Sequence, residues 1–297
     1  MINFDTTPIA TLVDSAAYTY ADMQMYVIIM IALVVSMTIA DLIHKGSKTY
    51  FDNAVAKSEA LLAAGDADCS LGKEEGRLKQ LTAGDKAGIM RDTLLIDVAT
   101  AGEFKNPVRR LVHILTMYGF ILFNAATAII IFGEESTTLL AQVWNTGAIL
   151  LFIGTFWYWF SFKVDSESEG VPWTSVTLRK DSFSLALMAT SVTAIGWSAT
   201  NGGTGIWFAL VILSTASLFG GVYWSKFSHM FFKPAAGYNK RIIKANGTNE
   251  NLPHETRFGG KTAADDEFQQ NRHSMELLKD APMDMGLGIK REAPKHY

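Results

Sequence analysis

Three histidines are the side chains best suited to chemistry, because each lies beside a long apolar run. His44 follows the first run, His113 lies near the start of the second, and His229 follows the last. The chain has 6 histidines, and the others lie in its polar C-terminal part. An imidazole can ligate haem iron, bond a quinone carbonyl or carry a proton near neutral pH. These three histidines are therefore the candidate site.

Charged side chains accompany these histidines. Asp41 precedes His44 by three residues, so the two share a helix face, and a carboxylate beside an imidazole can relay a proton. Two arginines precede His113 and a lysine precedes His229, and these cations can meet anionic groups. The predicted cofactor-binding residues are His113, His229, His44, Asp41, Arg109, Arg110 and Lys226.

Three interpretations of this set stay open. The residues can bind a quinone as substrate, or His113 and His229 can be the metal ligands of one b-type haem. Alternatively, the histidines only anchor the ends of helices at a membrane surface. A two-haem wire across the membrane is excluded by count, because no second set of histidines lies at the opposite ends of the runs.

Other classes of site find little support in the sequence. Cys69 is the only cysteine, so an internal disulfide and a four-cysteine iron–sulfur or zinc site are excluded. A net charge of −3 gives no reason to expect nucleic acid. No phosphate-binding glycine loop, HExxH motif or nucleophilic triad is visible. Asn124 and Asn145 are amides inside apolar runs, and we expect them to make hydrogen bonds between helices.

The elements that must position these residues are membrane helices. Crossing the bilayer takes about 20 apolar residues. The sequence predicts an all-α membrane protein with five transmembrane helices, at about residues 23–43, 108–132, 139–162, 183–200 and 205–224.

The distribution of cations predicts the orientation. All 26 Lys and Arg residues lie in segments 45–110, 163–180 and 226–297, which follow the first, third and fifth runs. Cytoplasmic loops collect Lys and Arg. We therefore expect a multi-pass protein of the cytoplasmic (inner) membrane, with its N-terminus outside and its C-terminus in the cytoplasm.

This topology divides the chain into three predicted parts. Residues 1–22 form an outside segment, residues 23–227 the transmembrane domain with its cytoplasmic loop 45–107, and residues 228–297 a cytoplasmic tail that docks a partner. Within the loop, a helical pattern covers residues 49–64, and residues 89–104 are expected to pack back on the membrane face.

Two segments carry a resemblance to a known family. Residues 104–123 read FKNPVRRLVHILTMYGFILF, and residues 225–234 read SKFSHMFFKP. They resemble the five-helix membrane subunits of quinone-linked respiratory complexes, of the nitrate reductase gamma, heterodisulfide reductase and quinone-interacting oxidoreductase type. The tail, residues 275–297, is most similar to that of the membrane anchor associated with adenylylsulfate reductase.

The resemblance implies a membrane anchor and electron-transfer subunit. Electrons would pass between a cytoplasmic flavin and iron–sulfur enzyme of sulfur metabolism and membrane quinone. The chain itself would be non-catalytic or quinone-reactive and would carry no iron–sulfur cluster. Two-haem members need four axial histidines, and this chain offers at most three. The alternatives are a scaffold that only tethers a soluble enzyme and a small-solute transporter, the latter disfavoured by the absence of internal repeats.

Overall fold

The computed structural model describes residues 4–44, 47–64, 79–102, 104, 106–162, 174–225 and 229–248. These residues form helices and connections, with no strand among them. The helices are α1 (Pro8–Asp14), α2 (Tyr20–His44), α3 (Ser47–Ala64), α4 (Ala83–Asp92), a π-helical segment (Thr93–Ala99), α5 (Pro107–Gly133), α6 (Thr138–Ser161), α7 (Leu178–Ala199), α8 (Ile206–Gly220) and α9 (His229–Ala245).

All five predicted runs fall on helices. The helices α2, α5 and α6 and residues Asp181–Ala199 of α7 are long and apolar enough to cross a membrane. The fifth run forms α8, which is apolar but has only 15 residues. At 1.5 Å per residue, α8 covers about 22 Å. The described part of the chain is therefore mostly helical, with four helices that could span a membrane.

The contacts divide the chain into two compact units. The bundle unit consists of Met1–Thr38 and Pro107–Phe227, and the loop–tail unit consists of Ile39–Asn106 and Ser228–Tyr297. The long helix α2 therefore contributes its first part to the bundle unit and its last residues to the loop–tail unit.

Close packing of α5 on α6 depends on glycine. A Cβ atom at Gly147 would lie 2.5 Å from the backbone nitrogen of Phe123, and one at Gly119 would lie 2.4 Å from that of Leu151. A Cβ atom at Gly154 would meet Thr116. Small residues of this kind let helix backbones approach each other in membranes. The middle of α5, at residues 116–123, therefore packs closely against residues 147–154 of α6.

The core of the bundle unit also includes α1. Thr7 caps this short helix by accepting a hydrogen bond from the N–H of Ala10, and Pro8 occupies its first turn. Ile9 and Leu12 are buried in the same apolar cluster as Trp144 and Trp197. The predicted outside segment thus contributes side chains to the bundle core.

Polar contacts hold the loop–tail unit together. Arg241 on α9 donates two hydrogen bonds to the Asp97 carboxylate in the π-helical segment, at 2.6 and 2.7 Å. The side-chain amide of Asn246 donates a hydrogen bond to the hydroxyl of Ser58 on α3 at 2.6 Å. The backbone carbonyl of Asn246 accepts a hydrogen bond from the backbone N–H of Lys79. The predicted helix at residues 49–64 is confirmed as α3. The first loop and the segment after residue 228 therefore pack on each other.

Candidate functional site

The start of α5 carries one imidazole and two guanidinium groups. Pro107 is the first residue of the helix, where a missing N–H costs nothing. Arg109, Arg110 and His113 follow within the first two turns, and all three side chains are partly buried. The Nδ1 atom of His113 is itself buried. The arrangement gives a partly buried imidazole within a turn of two permanent positive charges.

Arg109 is fixed against the end of α6. Its guanidinium carbon lies 5.6 Å from the centre of the Phe162 ring, which is the C-cap residue of α6. A guanidinium at this distance from an aromatic face makes a cation–π interaction. The same arrangement keeps a positive charge at the end of the helix pair, one turn before His113.

The helix face that continues from His113 leads into the bundle core. Phe120 packs against Phe219 of α8, with ring centres 6.3 Å apart. Asn124 donates a hydrogen bond to the carbonyl of Phe120 on its own helix, at 2.8 Å. Asn145 was expected to bond between helices, and its amide oxygen does accept a hydrogen bond from Ser198 of α7 at 2.6 Å. The predicted hydrogen bond between helices is therefore confirmed for Asn145, whereas Asn124 bonds within its own helix.

The end of α2 places a buried carboxyl beside an exposed imidazole. Asp41 has 0% of its surface exposed, although it lies only three residues before the end of the helix. His44 is the last residue of α2 and is exposed. Three residues of separation put both on one face of the helix. The pair thus combines one group that reaches the surface with one enclosed group.

The remaining predicted residues follow α8. His229 is the first residue of α9, and its side chain lies outside the described part of the chain. Lys226 lies outside the described residues altogether.

The structure therefore groups the candidate residues in two sets. The bundle unit contains His113 with both arginines, and the loop–tail unit contains Asp41, His44 and His229. Within the residues that the structure describes, no group of three or more His, Cys, Asp or Glu side chains is arranged to hold a metal ion.

One polar contact in the apolar part was not anticipated from the sequence. The hydroxyl of Tyr26 on α2 lies 2.7 Å from the hydroxyl of Thr215 on α8 and donates to the carbonyl of Ile212 at 3.2 Å. A lone tyrosine inside an apolar run is the signal that could have revealed it, because a buried phenol needs a hydrogen-bond partner. This contact ties α2 to the bundle.

The comparisons with known proteins give no assignment. Neither the protein-family models, nor the curated proteins, nor the solved structures contain a match to this chain. The resemblance to quinone-linked respiratory subunits therefore stays a prediction from residues 104–123 and 225–234.

Proposed function

We propose that this chain is the membrane anchor and electron-transfer subunit of a respiratory complex. It would pass electrons between a cytoplasmic flavin and iron–sulfur enzyme of the adenylylsulfate reductase type and membrane quinone. The observation that carries the proposal is the start of α5, where the buried Nδ1 of His113 lies within a turn of Arg109 and Arg110. An imidazole and fixed cations at the end of a membrane helix suit a quinone whose head group becomes more negative on reduction.

The chemistry at this site is a two-electron, two-proton reduction. The partner enzyme supplies the electrons, and the aqueous phase supplies the protons that convert both carbonyl oxygens to hydroxyls. His113 donates a hydrogen bond to one carbonyl oxygen, and the arginines stabilise the charge that develops there. In the other unit, His44 is exposed and Asp41 three residues earlier is buried, and these residue types are suited to carrying a proton from the aqueous phase.

The packing of the loop–tail unit supports a topology of five crossings. The Arg241–Asp97 contact joins the segment after α8 to the segment before α5. Two segments in contact lie on one side of a membrane, so the chain between them crosses an even number of times. The helices α5, α6 and α7 give three crossings, so the short α8 supplies the fourth and α2 is the fifth. The distribution of cations supports a cytoplasmic loop–tail unit and an N-terminus outside the inner membrane.

A quinone-reduction assay on the complex tests the proposal. The membrane protein is purified with its cytoplasmic partner, and His113→Ala and His229→Ala are compared with the unmodified chain. Both variants are expected to slow quinone reduction while the partner stays bound. His113→Gln keeps a hydrogen-bond donor and is expected to retain more of the rate than His113→Ala. If both alanine variants reduce quinone at the original rate, the site assignment is wrong.

The same preparation separates the competing interpretations. b-type bands in a dithionite-reduced spectrum, lost in both alanine variants, would assign the two histidines to one haem rather than to quinone. Deleting residues 279–297 tests the alternative of a scaffold that only tethers its partner. A scaffold would release the partner after this deletion, whereas histidine substitutions would have no effect. Solute uptake by proteoliposomes without a partner would support the transporter instead.

A further inference from the structure

The π-helical segment of the loop–tail unit presents apolar side chains outward. Leu94, Leu95 and Ile96 are 49%, 57% and 47% exposed, and Met90 one turn earlier is 42% exposed. The inward positions are polar, since Thr93 is fully buried and Asp97 is bound to Arg241. A water-soluble surface exposes polar side chains and buries apolar ones, so the segment shows the reverse distribution.

Specific hydrogen bonds hold the segment in this orientation. The hydroxyl of Thr93 donates to the carbonyl of Ile89 at 2.9 Å, and the hydroxyl of Thr100 donates to that of Ile96 at 2.7 Å. The bidentate Arg241 contact fixes Asp97 at the opposite side from the leucines. The exposure of the leucines is therefore a consequence of a well-bonded fold of this segment.

A helix long enough to cross a membrane follows this segment closely in the sequence. The N–H of Gly102 donates to the carbonyl of Ile96 at 2.8 Å, so residue 102 lies beside residue 96. A Cβ atom at Gly102 would lie 2.8 Å from that same oxygen, which is why this position needs glycine. Five residues then lead from Gly102 to Pro107, the first residue of α5, and five residues reach at most about 18 Å.

We propose that Leu94, Leu95 and Ile96, together with Met90, insert into the headgroup region of the bilayer. The occupant of this face is lipid, because the apolar triplet is continuous in the chain with a helix long enough to cross a membrane. Exposed cationic side chains precede the triplet in the chain, at Lys86 and at Arg91, which pairs with Asp92, and cations suit the phosphate level of a bilayer. This inference concerns the loop–tail unit alone and does not depend on quinone chemistry.

Spin labels on the full chain in phosphatidylcholine nanodiscs test this inference. Cys69→Ser removes the only cysteine, and Leu94→Cys or Leu95→Cys then carries a nitroxide. Both positions are exposed, so the label replaces no core contact. The matched control is Glu59→Cys, at an exposed position of α3 in the same unit. The measured quantities are collision rates with molecular oxygen, which concentrates in lipid, and with a neutral nickel chelate, which stays in water.

The expected result is a several-fold higher ratio of oxygen to nickel collisions at positions 94 and 95 than at position 59. Equal ratios at the three positions would place the triplet in water and overturn the inference. Protection that appears only after the soluble partner enzyme is added would assign this face to a protein interface and would overturn it as well.

Discussion

At the scale of single residues, the start of α4 shows how a charged side chain is held outside the apolar helices. Asp85 accepts hydrogen bonds from the N–H and the hydroxyl of Thr82, both at 2.9 Å, and from Lys79 at 3.2 Å. The backbone bond first, then the hydroxyl, then Lys79 keep the pKa of Asp85 below its ordinary value. A carboxyl with a depressed folded pKa stabilises the folded state above the unfolded pKa of about 4 and loses that contribution as the pH falls below it.

Thr82 is the N-cap residue of α4, and removing its hydroxyl is expected to raise the pKa of Asp85. Thr82→Ala eliminates one of the bonds to the carboxylate and leaves the backbone bond in place. The start of α4 should then fray at a higher pH than in the unmodified chain. The carboxyl carbon shift of Asp85, titrated by NMR in micelles, measures the change. Thr100→Ala removes a hydroxyl that donates to the carbonyl of Ile96, and a change of the same size in the pKa of Asp85 in that variant would contradict the argument.

That the two amides make hydrogen bonds could be predicted from the sequence, but the partner of each amide could not. Asn145 was predicted to bond between helices and does bond Ser198, whereas Asn124 bonds a carbonyl one turn back in its own helix. The sequence contains no sign of this difference, because both amides lie within apolar runs of similar composition. Which neighbour an amide meets depends on helix rotation, and rotation is decided by packing across the whole bundle.

At the scale of elements, the α5–α6 pair makes the sharpest prediction. Gly147→Ala places a methyl group against the backbone of α5, where no side chain can move aside. The helices must separate, and overpacking of this kind costs about 1–3 kcal/mol. The matched control is Gly133→Ala, because a Cβ atom there would meet nothing within 4 Å. Unfolding in detergent should show a loss of stability for the first variant only, and equal effects would show that the contact is unimportant.

Long apolar helices could be predicted from the sequence, whereas short helices and charged helical turns could not. The predicted run at residues 183–200 forms a helix that begins five residues earlier, at Leu178. Its first turn is charged, and the Asp181 carboxylate accepts a hydrogen bond from the N–H of Thr177. The helices α1 and α9 were also missed, because α1 is short and α9 mixes cations and aromatic side chains around Pro234. Average hydropathy does not detect either kind of element.

At the scale of the whole molecule, the sequence predicts which residues belong to the candidate site but not how they are arranged in space. The sequence placed three histidines beside the ends of apolar runs, and all three lie at or near helix ends. Their division between two units was not visible, because it depends on contacts between the first loop and the segment after α8. Those contacts are specific pairs such as Arg241 with Asp97, which no periodicity reveals. The same pairs, however, constrain the topology.

The number of crossings can be tested directly by labelling single cysteines in intact cells. In the Cys69→Ser background, cysteines at Glu135 and Thr204 follow α5 and α7, and cysteines at Glu59 and Lys244 lie in the loop–tail unit. All four positions are exposed. Five crossings predict that a membrane-impermeant maleimide labels positions 135 and 204 from outside and labels positions 59 and 244 only after lysis.

The decisive position in this experiment is Lys244, because it reports on the short helix α8. If α8 failed to cross while α7 did, position 244 would react from outside and position 59 would not. Such a result would contradict the Arg241–Asp97 contact, since its partners would then lie on opposite sides of the bilayer. Labelling of both positions only after lysis requires an even number of crossings between them. With α5, α6 and α7 crossing, α8 must then span the bilayer despite its 15 residues, with the turns at residues 221–225 completing the passage.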